Sequence, residues 1–303
     1  MSHSSGSVKV IVYALLANFA IALAKFSGAS ITQSTALLAE AIHSLVDCAN
    51  QALLLVGNRA SKKAPTERHP LGYGREAFFW SFVVAILLFS MGGLFAIYEG
   101  IHKLQSPEPV LSPMIGLGIL VFGIVLETGS FLACLKEVRR TNPFPSLWSW
   151  FRKTTAAELL VIFTEDLAAL LGLTIATACL LLTWITGNSA WDAWGSVWVG
   201  SVLIIMAALL AVEIKSLLIG EAPTHDYRPA LEEIIQAKIP SSKLLRILAL
   251  QTGNAEVLLS YKITSGEITL TRDLIAAINE IEREVKLKFP EVRWQFVEPD
   301  HEA

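Results

Sequence analysis

The strongest constraint on this chain is where its charges are missing. Six stretches, roughly residues 8–30, 35–58, 77–103, 112–138, 155–185 and 190–219, are long and mostly apolar. A run of ~20 such residues is what a helix needs to cross a bilayer. In lipid only helices and closed barrels satisfy their own backbone groups. The runs are continuous rather than alternating, which predicts helices. Overall 53% of the 303 residues are hydrophobic and 17% charged, against about a quarter charged in soluble domains. The deficit stops near residue 220, so the expected division is a membrane domain over 1–219 and a soluble C-terminal domain over 220–303.

Charge in the connections sets an orientation. The segment after the second run carries Arg59, Lys62, Lys63, Arg68 and Arg75, and that after the fourth carries Lys136, Arg139, Arg140, Arg152 and Lys153. The opposite connections are nearly bare, which points the basic segments and both termini to the cytoplasm. Trp148, Trp150, Trp191 and Trp194 flank the runs as interfacial anchors would. Lys9 ahead of an apolar run ending near Ala22-Leu23-Ala24 faintly resembles a signal peptide. The run is long enough to span, so a retained first helix is the expectation. The net charge of −3 is too mild to suggest nucleic acid. Cys48, Cys134 and Cys179 lie in apolar runs without metal-finger spacing and read as reduced core thiols.

Residues 220–303 have ordinary polarity. Helices are expected over 228–238 and 270–288, strands near 244–251 and 255–263 joined at Gly253-Asn254, and a last strand at Val292, Trp294 and Phe296. The order αββαβ predicts an α+β, ferredoxin-like layer pair. At about 80 residues it is short of core for lone stability, so dimerisation is expected to help it.

Ionisable side chains inside apolar helices are functional candidates. Glu40, His43, Asp47 and Asn50 are spaced three, four and three apart, which places them on one helical face. His43 and Asp47 at i, i+4 can offer a nitrogen and a carboxylate to one ion, or bond each other. Asp47 sits ~18 Å from one end of its run and Asp166 ~17 Å from the opposite end of its own. Both therefore fall near the midplane. A dication between them would offset the cost of buried like charges. One imidazole with carboxylates suits Zn²⁺ and also admits Mn²⁺, Fe²⁺, Co²⁺ or Cd²⁺. Glu40, Glu158, Glu213 and Lys25 lie nearer helix ends and read as snorkelling groups or structural pairs, while Glu127 is left open. No His-Glu-x-x-His motif of an intramembrane metalloprotease is present in the sequence. A metal-sensing membrane protein without transport stays open as an alternative.

Several motifs resemble one known family. Ala39-Glu40-Ala41-Ile42-His43-Ser44-Leu45-Val46-Asp47 resembles the second-helix signature of the cation diffusion facilitators. The loop Glu67-Arg68-His69-Pro70-Leu71-Gly72-Tyr73-Gly74-Arg75-Glu76 resembles that family's approach to helix three, and Asp192-Ala193-Trp194-Gly195-Ser196 its start of helix six. The chain looks most like the branch typified by the human zinc transporter nine group and its bacterial relatives. The resemblance implies a homodimer in the cell (inner) membrane that exports Zn²⁺ in exchange for protons, with the ion as substrate and no organic cofactor. It implies a transport site shared by helices two and five, with His43, Asp47 and Asp166 as ligands. The family's second helix-five histidine falls on Ile162 here, so Glu165, Asn50 or a water is the candidate for the remaining place. Glu40 and His69 are supporting candidates. His225, Asp226, Asp300 and His301 lie at the two ends of the C-terminal domain, too far apart in sequence to suggest a binuclear site there.

Overall fold

The computed structural model describes residues 19–141, 144–254 and 256–300. The first eleven residues of the expected first helix, 8–18, lie outside them. Helix α1 covers Phe19–Thr32, α2 Thr35–Ser61, α3 Glu76–Gln105 and α4 Pro113–Thr141. A short α5, Leu147–Lys153, precedes α6, Ala157–Thr186, and α7, Ala190–Ile219.

The expectation of six membrane spans is corrected. Among the described residues four helices are long and apolar enough to cross a membrane: α3, α4 up to Arg140, α6 and α7. Helix α1 is described only over Phe19–Thr32 and is shorter than a span. Helix α2 has 27 residues, length enough, but Glu40, His43, Asp47, Asn50 and Gln51 interrupt its apolar run. The side chains that make α2 interesting are the ones that lower its hydropathy. The four spans present large apolar groups outward, such as Phe122, Val125, Ile185 and Trp198, all more than half exposed. A surface of that kind suits lipid rather than water, and the chain is a multi-pass membrane protein.

The chain divides into two compact units. The first comprises residues up to 57, 80–150 and 158–214, and its core joins Leu37 of α2, Leu88 of α3, Leu120 of α4, Leu173 and Leu180 of α6, and Val199 and Leu203 of α7. Close backbone approach tightens the α3–α7 seam. A Cβ on Gly200 would lie 2.6 Å from the Gly93 carbonyl oxygen, and one on Gly100 2.7 Å from that of Ala193. Small residues at helix seams are the usual route to close packing in lipid. Helix α3 carries a π-helical stretch, Leu88–Leu94, along this seam. Trp150 is not the expected interfacial anchor: it is buried edge-on against Phe163, 5.3 Å between ring centres.

The second unit comprises 58–79, 151–157 and residues from 215 onward. It contains α8 (Arg228–Lys238), β1 (Leu244–Gly253), β2 (Glu256–Ile263), α9 (Thr271–Lys288) and β3 (Val292–Pro299). The sheet has order β1-β2-β3, with β1 antiparallel and β3 parallel to β2. Val257, Leu259, Tyr261 and Ile263 alternate into a core with Leu231 and Ile235 of α8 and Ile281 and Val285 of α9. The ferredoxin-like label is also corrected. That pattern has four strands, and the described residues give a three-stranded mixed sheet, with residues 220–227 forming no strand ahead of α8.

Candidate metal centre

Helix α2 carries a polar face in an apolar environment because its polar residues recur at helical spacing. Glu40, His43 and Asn50 are fully buried. The Asp47 side chain is 16% exposed, and its Oδ2 lies 3.7 Å from His43 Nε2. That separation allows attraction between charges but exceeds a hydrogen bond. Both ring nitrogens of His43, Asp47 Oδ1, Asn50 Oδ1 and Glu40 Oε1 have no hydrogen-bond partner. Among the described residues these are half of the buried side-chain nitrogen and oxygen atoms without one, and the other half lie in the C-terminal region. Each such orphan costs about 1–3 kcal/mol. Concentrating five on one helix face calls for a physical explanation.

Helix α6 meets this face through Glu165. Asn50 Nδ2 donates to Glu165 Oε1 at 2.6 Å, and Glu165 is 6% exposed. Asp166 is partly buried and accepts from Ser130 Oγ of α4 at 3.1 Å. Adjacent helical residues point about 100° apart, so one turns to α2 and the other to α4. Ile162 is 38% exposed. Glu127 of α4 lies within electrostatic range of Glu40, Asp47, Glu165 and Asp166. The structure thus brings His43 to Asp47 and Asn50 to Glu165. Among the described residues it does not close three His, Cys, Asp or Glu side chains into one ready-made ligand group.

Of the two readings of Lys25 and Glu40, snorkelling groups or a structural pair, the structure gives the pair. Lys25 is 1% exposed and donates to Ser44 Oγ at 2.7 Å and to Glu40 Oε2 at 3.4 Å. Glu40 is therefore half of a buried ion pair. A signal was available: Lys25 is the single Lys or Arg between Lys9 and Arg59, and Glu40 and Asp47 are the only acids there.

A second buried polar cluster joins helix ends. Asp192, at the start of α7, accepts from Ser34 Oγ, from the Thr35 backbone N–H at 2.7 Å, from Thr35 Oγ1 at 3.0 Å and from Lys103 Nζ at 3.1 Å. Lys103 also donates to the Gln33 carbonyl oxygen. A cavity of about 360 Å³, lined among others by Gln33, Ser34, Thr35, His102 and Lys103, adjoins it.

The remaining candidates are scattered. His69 is exposed and packs on Tyr73 at 4.5 Å. His225 packs on Tyr227 and Phe289 at 4.8 and 5.2 Å. Asp226 accepts from the Arg228 N–H, Asp300 pairs with Lys262, and His301 lies outside the described residues. Burial raises the Tyr261 phenol above its ordinary range, and burial together with the neighbouring Glu291 does the same for Tyr227.

The cation efflux transmembrane domain family matches residues 11–219, which holds the whole polar face. The chain belongs to the cation efflux family. Among its cation efflux relatives, it is 29% identical over 289 residues to the Xenopus laevis proton-coupled zinc antiporter SLC30A9, mitochondrial, covering 93% of this chain and 52% of that one. It is 34% identical over 224 residues to metal tolerance protein C4 of Arabidopsis thaliana, covering 71% and 48%. It is 30% identical over 136 residues to zinc transporter ZitB of Escherichia coli K12, covering 43% of each. The chain spans about half the length of the curated relatives it matches.

Proposed function

We propose that this chain is a carrier, not an enzyme, that exports a divalent transition-metal cation from the cytoplasm in exchange for protons, with Zn²⁺ as its substrate. The supporting observation is the α2 face on which His43 and Asp47 stand buried with unpartnered nitrogen and oxygen atoms. A cation would turn each of those orphan lone pairs into a bond. His43 and Asp47 would supply a nitrogen and an oxygen, and Asp166 and Glu165 of α6 the oxygens that complete a tetrahedral shell. Asn50 would orient Glu165. The relatives named for zinc and for proton coupling support the choice of ion and of counter-ion.

The ligands are paired within and between helices rather than closed into one group, and alternating access suits that state. Approach of α6 to α2 would form the shell, and metal binding would expel protons because the ligands bind deprotonated. Reprotonation of the imidazole and carboxylates on the other side would release the ion. The oxygen-rich remainder of the set, with Ile162 where the family's second histidine falls, favours Mn²⁺ as the rival substrate.

The positive-inside bias supports cytoplasmic placement of residues 59–75, 136–153 and the 220–303 domain, since two spans separate each from the next. Helices α1 and α2 are joined at Gln33-Ser34 and paired by Lys25 and Glu40. We further propose, from the same charge bias, that both termini lie on the cytoplasmic side. We also propose a homodimer.

The test is zinc flux in proteoliposomes loaded with a fluorescent indicator and a pH dye. Zinc movement coupled to opposite proton movement supports the reading. Zinc that binds but does not cross, in vesicles where the protein is oriented and folded, would point to a sensor.

A further inference from the structure

A buried ammonium stands beside the proposed ion site. Lys25 Nζ is held 2.7 Å from Ser44 Oγ, and Ser44 follows His43 and lies one turn before Asp47. At 1.5 Å rise per residue the ammonium sits within ~5 Å, along the α2 axis, of both proposed ligands. Lys25 is 1% exposed and Glu40 0%, so neither charge is screened by solvent. Lys25 is also within electrostatic range of Glu127 and Asp47. Its stem runs beside Gly123 of α4. Glu40 reaches the other way: its second oxygen is turned to Gly172 of α6, where any side chain would claim the same space. That oxygen has no hydrogen-bond partner.

We infer that Lys25 is a tethered counter-cation for the transport site, which weakens dication binding and so sets how readily the ion is released. The inference rests on the transport reading above. On the limb without metal the α2 carboxylates are balanced by the protons that replace the ion and by a lysine fixed beside them, which contributes one charge rather than two. When a dication enters, the same lysine repels it. Glu40 holds the ammonium in place and is a positioning residue, while Asp47 and His43 meet the ion.

The test is calorimetric zinc titration of the purified full-length protein for wild type, Lys25→Met, Lys25→Arg, Glu40→Gln and the Lys25→Met/Glu40→Gln double variant. Lys25→Met should tighten zinc binding about tenfold, as loss of one nearby like charge predicts, and should slow flux at saturating zinc. Glu40→Gln should loosen binding, because the ammonium is then less neutralised. Lys25→Arg should stay near wild type. The double variant should bind more tightly than Glu40→Gln alone, a comparison that survives if Lys25→Met does not fold, since no buried acid is then left unpaired. A purely structural ion pair would shift both single variants in the same direction. Unchanged or weaker affinity in folded Lys25→Met, or in the double variant relative to Glu40→Gln, overturns the inference. If His43→Ala abolishes zinc binding while Lys25→Met leaves it unchanged, the Lys25 role fails alone. If His43→Ala also binds zinc normally, the transport site and the Lys25 role fail together.

Discussion

The helical unit contains two buried polar clusters that solve the same problem in opposite ways. Around Asp192 every partner is supplied by the chain: two hydroxyls, a backbone N–H and the Lys103 ammonium converge on one carboxylate. Along α2 the chain leaves His43, Asp47, Asn50 and Glu40 with orphaned atoms at comparable burial. A satisfied buried network specifies structure, whereas an unsatisfied one is a cost that only an absent partner or a function explains. On this contrast the Asp192 cluster is a clamp and the α2 face is the proposed ion site.

Exchanging the roles of the two clusters would break this contrast. His43→Ala should reduce zinc flux by at least ~100-fold, because only one α2 ligand remains. Its thermal midpoint should hold or rise, because two orphaned nitrogens are removed. Flux assays beside a melting curve check both halves, and a large loss of stability with residual flux would reverse the assignment. Asp192→Ala should do the opposite. It leaves Lys103 buried without its carboxylate and removes the cap on the α2 N-terminus, at about 3–5 kcal/mol. Zinc affinity of the folded fraction should stay within about threefold of wild type. If Asp192→Ala retained its stability but lost zinc binding, the helix-end cluster would belong to the ion path.

A smaller effect sharpens the composition of the site. Ile162→His places an imidazole one turn from Asp166, and the ratio of zinc to manganese uptake in vesicles should rise about tenfold, since imidazole suits zinc and oxygen suits manganese. With transport intact and the ratio unchanged, position 162 would not face the ion, in keeping with its partial exposure.

The α2 face was legible in the sequence because helical periodicity fixes which residues share a side, whatever the rest of the fold does. The α6 contribution was less so. Whether Glu165 or Asp166 turns to α2 depends on how α6 rotates against α2 and α4, which one sequence does not encode locally. Lys25 and Glu40 were each legible as a snorkelling group or half of a structural pair, but that they pair with each other is a tertiary contact between α1 and α2 that helical spacing does not specify. The six-span count failed at α2 because the polar face that makes it the candidate site also lowers the hydropathy on which a span count depends. In the C-terminal region strand β2 was readable from alternation at Val257, Leu259, Tyr261 and Ile263, and helices α8 and α9 from helical spacing. Their assembly into a three-stranded mixed sheet rests on long-range pairing of β2 with β3 that alternation does not specify.

The central claim, that the orphaned α2 face holds the ion, is tested most directly by X-ray absorption at the zinc edge of the purified protein loaded with one equivalent of zinc. The account predicts a shell of nitrogen and oxygen only, about four-coordinate, with the multiple-scattering signature of one imidazole that disappears in His43→Ala. A sulfur neighbour, which buried Cys48 beside Asp47 could supply, or an imidazole signature unchanged in His43→Ala, would contradict it.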